Sequence, residues 1–143
     1  MANSIKFFKS ENGNIAVEFS MVAVPMLLFI LGAVETSRFL WAHTALQNVA
    51  TSTARCVGLR ALDCSSDQKT VNIISTRELI LANASAFGID LSNSEISISG
   101  NEICHGIQNY SEVTITYNFP NAFTLYEDKE LDISACFPNQ KIN

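Results

Sequence analysis

Charge is scarce in this sequence, and positive charge and histidine are scarcer still. Only 16% of its 143 residues are charged, where an ordinary soluble domain carries about 25%. Nine Lys and Arg stand against 14 Asp and Glu, giving a net charge of −5 and a pI near 4.9. Such a chain lacks the basic face that nucleic acid requires. Its apolar content of 48% is too high for a disordered chain. The two histidines, His43 and His105, have no serine or cysteine at a motif spacing, and the six glycines are scattered. Neither a catalytic constellation nor a phosphate loop is expected, and no cofactor is implied. The length leaves room for one small domain.

The apolar residues are concentrated in one place. Residues 19–34 carry no charge, whereas residues 59–143 hold 5 Lys or Arg and 11 Asp or Glu. From Ile15 to Val34 the chain is apolar apart from Glu18, Ser20, Pro25 and Gly32. Twenty helical residues span roughly 30 Å, the thickness of a bilayer's hydrocarbon core. Lys6 and Lys9 precede the run, with Glu11 the one acid beside them. By the positive-inside rule the N-terminus is cytoplasmic and everything after Val34 lies across the membrane. A secretory signal peptide has an apolar core of about 7–15 residues and a small-residue cleavage site. This run is too long, contains a carboxylate, and ends in Ala33-Val34-Glu35.

A pilin-type signal accounts for the pattern: a short basic leader, Gly13, and an apolar helix with an acid five residues after the glycine. An acid in hydrocarbon costs about 2.5–3.5 kcal/mol on insertion scales. Cleavage after Gly13 would put a new α-amino group on Asn14, one helical turn from Glu18, so that the two could pair. The positive end of the helix dipole favours an acid there too. The competing reading makes Gly13 a break, Asn14 a helix cap and Glu18 an interfacial acid on a plain anchor. Glu35 and Arg38 form an i,i+3 pair at the expected exit from the membrane, and Phe39 and Trp41 suit its aromatic belt. Leu46, Val49, Ala50, Thr53, Ala54 and Val57 recur at helical spacing.

The spacing divides the chain into a leader (1–13), a transmembrane and extended helix (14–58) and an outer α+β domain (59–143). Cys56, Cys64, Cys104 and Cys136 all follow the apolar run, on the side where disulfides form. No C-x-x-C occurs and only His105 is near a cysteine, which argues against a metal site. Four cysteines allow three pairings. The favoured one is Cys56–Cys64, closing the turn after the long helix, with Cys104–Cys136 tying two ends of a sheet. Residues 67–87 read as a second helix with Asp67 near its start, Val71, Ile74, Leu81, Ala82 and Phe87 on its apolar stripe, and Gly88 as its stop. Alternation around Ile96 and Ile98, from Val113 to Phe119 and from Leu131 to Phe137 predicts half-buried antiparallel strands, three or four in all. It places Cys136 on the polar face of its strand, or beside a bulge. The cluster Glu127-Asp128-Lys129-Glu130-Asp132 reads as a solvated acidic loop between strands.

Residues 13–55 resemble the TadE-like minor pseudopilins of bacterial tight-adherence (Flp-type) pilus systems. The matching features are Gly13, Ala16-Val17-Glu18-Phe19 opening the helix, Glu35 with Arg38, Ala45-Leu46-Gln47-Asn48 and Ala54-Arg55. Thr53-Ala54-Arg55 stands where Ala-Ala-Arg is commoner. The resemblance implies processing by a prepilin peptidase between Gly13 and Asn14, with Glu18 and Phe19 in helix pairing and assembly. It further implies an inner-membrane subunit with a periplasmic domain, supporting pilus initiation, tip or assembly. Its partners would be lipid, the peptidase, the assembly platform and other pilin or pseudopilin helices. An unprocessed single-pass adaptor or adhesin is the alternative, and an enzyme is not expected.

Overall fold

The computed structural model describes residues 11–67, 70–92, 94–120 and 129–140. The order is α1 (Glu11–Gly58), α2 (Ile73–Ala86), β1 (Glu95–Cys104), β2 (Ile107–Phe119) and β3 (Lys129–Pro138). This is the expected α+β succession: a long N-terminal helix, a second helix and three antiparallel strands ordered β1-β2-β3. The chain divides into two units, Met1–Ser37 and Arg38–Asn143. Lys6 and Lys9 of the expected leader lie outside the described residues. The long helix starts at Glu11, three residues before the expected Asn14.

In the second unit, the α1 stripe is buried as its spacing required. Leu46, Val49, Ala50, Thr53, Ala54 and Val57 are all at most 2% exposed. Ala42 and Ala45 extend the stripe. Four of these positions are alanine, and all four belong to the core shared with the sheet. Larger side chains close the other side: Val113, Ile115 and Phe119 from β2, Leu131 and Ile133 from β3, Ile80 from α2, and Leu91. Each fully buried Leu, Ile or Val stabilises by roughly 1.5–3 kcal/mol.

The second helix is shorter and differently phased than expected. Its cap is Asn72, not Asp67: the Asn72 side chain accepts hydrogen bonds from the Ile74 and Ser75 N–H groups, both at 3.2 Å. Asp67 instead lies in the loop after the first disulfide. The buried stripe is Thr76, Ile80 and Ala84, while Ile74 is 74% exposed and Ala82 and Phe87 also face out. Thr76 anchors this phase, its hydroxyl donating to the carbonyls of Asn72 and Cys64. Gly88 does end the helix. It takes φ +73°, and the N–H groups of Gly88 and Ile89 close back on Ser85 and Ala84, the Schellman arrangement that favours glycine.

β1 and β2 form a hairpin through His105 and Gly106, with φ of 51° and 81°. Two successive positive-φ residues make the turn that matches strand twist. Both disulfides form in the favoured pairing. Cys56–Cys64 has its Cα atoms 5.9 Å apart and Cys104–Cys136 6.4 Å. The second joins strands that lie on either side of β2, ordinarily roughly 9.5 Å apart, too far for a disulfide. β1 supplies the adjustment, because its register with β2 shifts between Ser99 and Cys104. β3 has no bulge: its pairing with β2 is unbroken from Tyr110↔Pro138 to Phe119↔Lys129. Cys136 therefore stays on the polar face with Ser134 and Asp132, opposite Glu112. Asn139 ties the same three strands, donating to the Gly100 and Asn109 carbonyls and accepting from the Ser111 hydroxyl. Of the expected acidic loop, Lys129, Glu130 and Asp132 belong to β3, while Glu127 and Asp128 lie outside the described residues.

Thr53 is the one buried side-chain polar group without a hydrogen-bond partner among the described residues. Replacing an unsatisfied hydroxyl by a methyl of the same shape relieves about 1 kcal/mol or more. Thr53→Val is therefore expected to raise the thermal midpoint of the detergent-solubilised chain, followed by circular dichroism; a lowered midpoint would contradict this account of the site.

Candidate membrane segment and assembly residues

In the first unit, α1 is apolar and exposed on every side. Ile15, Val17, Phe19, Met21, Val22, Val24, and every large hydrophobic from Met26 to Val34 are exposed, Phe29 by as much as 79%. An 18-residue window of this helix has a mean hydropathy of 2.2, with none of it buried. A core helix of a soluble protein would be covered on at least one face, whereas a helix apolar all round suits lipid or other apolar helices. This helix is long and apolar enough to span a membrane.

Its internal hydrogen bonding fits that setting. In hydrocarbon each polar group must find its partner within the protein. The hydroxyls of Ser20, Thr36 and Ser37 donate to the carbonyls of Val17, Gly32 and Ala33, at 2.8, 2.9 and 2.8 Å. Pro25, inside the helix, removes one backbone donor and is the place where a bend is expected.

Glu18 and Phe19 both face outward from this helix. Gly13 and Asn14 have helical backbone, so the expected processing bond is enclosed in α1, and Glu18 follows Asn14 by one turn. Glu35, half-buried, belongs to the first unit, and Arg38 opens the second.

The residues after Arg38 show a cluster that spacing alone did not reveal. The Arg38 guanidinium lies over the Phe119 ring, 5.6 Å from its centroid, and the Lys129 ammonium lies 4.5 Å from that of Phe39. Phe39 and Phe119 meet edge to face at 5.6 Å. Trp41 meets Phe87, the residue ending α2, at 6.5 Å. Sequence reading assigned Phe39 and Trp41 to an aromatic belt, but placed Phe87 on a helix stripe, Phe119 in a strand and Lys129 in an acidic loop, and did not bring them together. Nearby, burial pushes the Tyr117 hydroxyl above its ordinary pKa; Asp90 adds to the shift and Arg38 opposes it. The Asp90 carboxyl is lowered by accepting the Ser92 N–H at 2.9 Å. Asp90 also lines a shallow, mainly apolar cavity of about 370 Å³ with Leu81, Ser85, Gly88, Ile89, Leu91 and Ser92.

Elsewhere the side chains offer little chemistry. His43 is exposed on α1, and His105 sits in the hairpin turn. The sulfurs of Cys104 and Cys136 lie within 4.8 Å of a Glu112 carboxylate oxygen. Both sulfurs are committed to their disulfide, so neither is a thiolate able to bind a metal.

Residues 13–55 match the family model of TadE-like proteins. This is the stretch that carries the resemblance noted in the sequence, and it points to involvement in tight-adherence pilus systems. No curated protein and no solved structure matches the chain.

Insertion of the exposed segment can be tested directly. Arginine near a helix centre is disfavoured by about 2.5–3.5 kcal/mol. The double change Leu27→Arg and Leu28→Arg should therefore move the chain from the carbonate-resistant membrane fraction to the soluble or aggregated fraction. Retention in that membrane fraction would argue against a spanning role for this segment.

Proposed function

We propose that this chain is a minor pseudopilin or assembly subunit of a tight-adherence type pilus, supporting initiation, tip formation or assembly. It is anchored in the bacterial inner membrane by α1, with its N-terminus cytoplasmic and its disulfide-linked domain periplasmic. It acts by binding and not by catalysis. The observation that carries this reading is Glu18, the one carboxylate in the exposed apolar run Ile15–Val34, within the segment matching TadE-like proteins.

The chemistry follows from where charge can be tolerated. A prepilin peptidase cutting after Gly13 creates an ammonium group on Asn14. Within the same helix, Glu18 lies one turn away and can pair with it. In a growing assembly the same carboxylate can neutralise the terminal ammonium of a neighbouring subunit, so that pairing favours the correct axial position. Phe19, beside it, supplies apolar contact. Lipid, the peptidase, the inner-membrane assembly platform and other pilin-like helices are the partners this mechanism requires.

An unprocessed adaptor or adhesin is the second reading. Its support is the helical backbone that encloses the Gly13–Asn14 bond in the uncut chain, since a bond held in a helix is less accessible to a peptidase. Mass spectrometry of the membrane-purified protein separates the two. We expect loss of residues 1–13 and a mature N-terminus at Asn14; an intact Met1 in a host with active prepilin peptidase would sink the processed reading. Glu18→Ala should still insert, because removing an acid lowers the insertion cost, by less near the interface than the roughly 2.5–3.5 kcal/mol at a helix centre. Piliation should nevertheless fall, as counted by electron microscopy, and normal pilus numbers would remove the role given to Glu18.

A further inference from the structure

The covalent chain limits how far the folded unit can stand from the apolar segment. Arg38 follows Val34 by four residues, so at most about 14 Å of chain separates them in any conformation. The headgroup layer on either side of a bilayer's hydrocarbon core is roughly 5–8 Å thick. With the apolar segment in lipid, the reading on which this inference rests, the part of the second unit that begins at Arg38 is held near the headgroups.

That part of the unit has the composition of an interfacial surface. Leu40 and Trp41 are 57% and 62% exposed, and Phe87 is 41% exposed. Tryptophan concentrates at membrane interfaces because its ring is apolar and its N–H tolerates water, and Phe87 adds exposed apolar surface beside it. Phe87 reaches this position only because α2 ends beside Trp41. Arg38 and Lys129 bring two positive charges, each over an aromatic ring. Three acids stand close by: Glu35, three residues before Arg38 on α1, Asp90, whose charge acts on Tyr117 together with Arg38, and Glu130, next to Lys129 in β3. The local balance is thus suited to individual lipid phosphates more than to a strongly anionic surface. The remaining acidic charge of the unit favours the same seating, since an anionic bilayer repels its other faces.

We propose that Trp41 and Phe87, with Arg38 and Lys129, form a platform that seats the folded unit on the phospholipid surface. The two rings lie among the headgroups and the two cations meet lipid phosphates. The domain is then a body held against the bilayer, with the opposite end, where both disulfides and the β1–β2 turn lie, presented to partners.

Trp41 is the only tryptophan, which makes the test direct. The full chain is reconstituted into phosphatidylethanolamine–phosphatidylglycerol vesicles containing lipids brominated either near the headgroup or near the chain ends. A second protein, Trp41→Phe with Phe87→Trp, moves the sole indole to the end of α2. Both indoles are expected to lose more emission to the shallow bromines than to the deep ones. Adding Lys129→Glu to the second protein should reduce the quenching at position 87, and unchanged quenching would overturn the role of Lys129. Quenching at position 41 with none at position 87 overturns the seated domain while leaving the membrane anchor intact. A chain that fails to float with the vesicles overturns the anchor and the platform together.

Discussion

The folded unit depends on one contact above all: the stripe from Ala42 to Val57 on α1 packed against the strands and α2. The stripe combines alanines with Leu46, Val49, Thr53 and Val57, and all are buried. Small and large side chains of the stripe share one buried core with residues of β2, β3 and α2. A three-stranded sheet has marginal stability without a helix on its apolar face. Here the helix that covers the face is the same covalent element that carries the apolar segment. One helix therefore carries both the segment long and apolar enough to span a membrane, exposed on every side, and the stripe that is buried in the core.

Two cross-links reinforce that packing at the far end of the unit. Cys56–Cys64 closes the turn out of α1, and Cys104–Cys136 clamps the edge strands across β2. By loop-entropy arithmetic they contribute at most about 2.5 and 3.7 kcal/mol, substantial for a unit of this size. Asn139 adds a polar tie across the same strands on the other face. A unit braced in this way holds its shape without relying on a large core.

Much of this was legible in the linear pattern. The apolar run, the α1 stripe, three alternating segments and the Cys56–Cys64 pair could be read because each follows a local period or a short loop, and the second disulfide then followed as the remaining pair. Cys136 stayed on the polar face predicted by strict alternation, since β3 pairs without a bulge. The second helix was less legible. Asp67 looked like a helix start, but Asn72 supplies the bonded cap, and Ser65 pairs with Val71 in an isolated bridge just before it. Its apolar stripe was misphased as well: Ile74 is exposed, while the polar Thr76 is buried against the Cys64 carbonyl. Of the residues proposed for assembly, Glu18 was conspicuous as an acid in an apolar run.

The sequence by itself determined where the chain can meet lipid, because hydropathy, helix length and the placement of Glu18 are properties of consecutive residues. It also determined that four cysteines would staple a small acidic domain. Only tertiary structure decided which residues join Trp41 and Arg38 beside the start of the folded unit. Phe87, Phe119 and Lys129 come from three elements far apart in the chain, and no local period encodes their meeting. Tertiary structure likewise decided that β1, and not β3, would bend to let Cys104 reach Cys136. A disulfide constrains the separation of two strands, whereas the choice of which strand yields depends on its pairing with the strand between them.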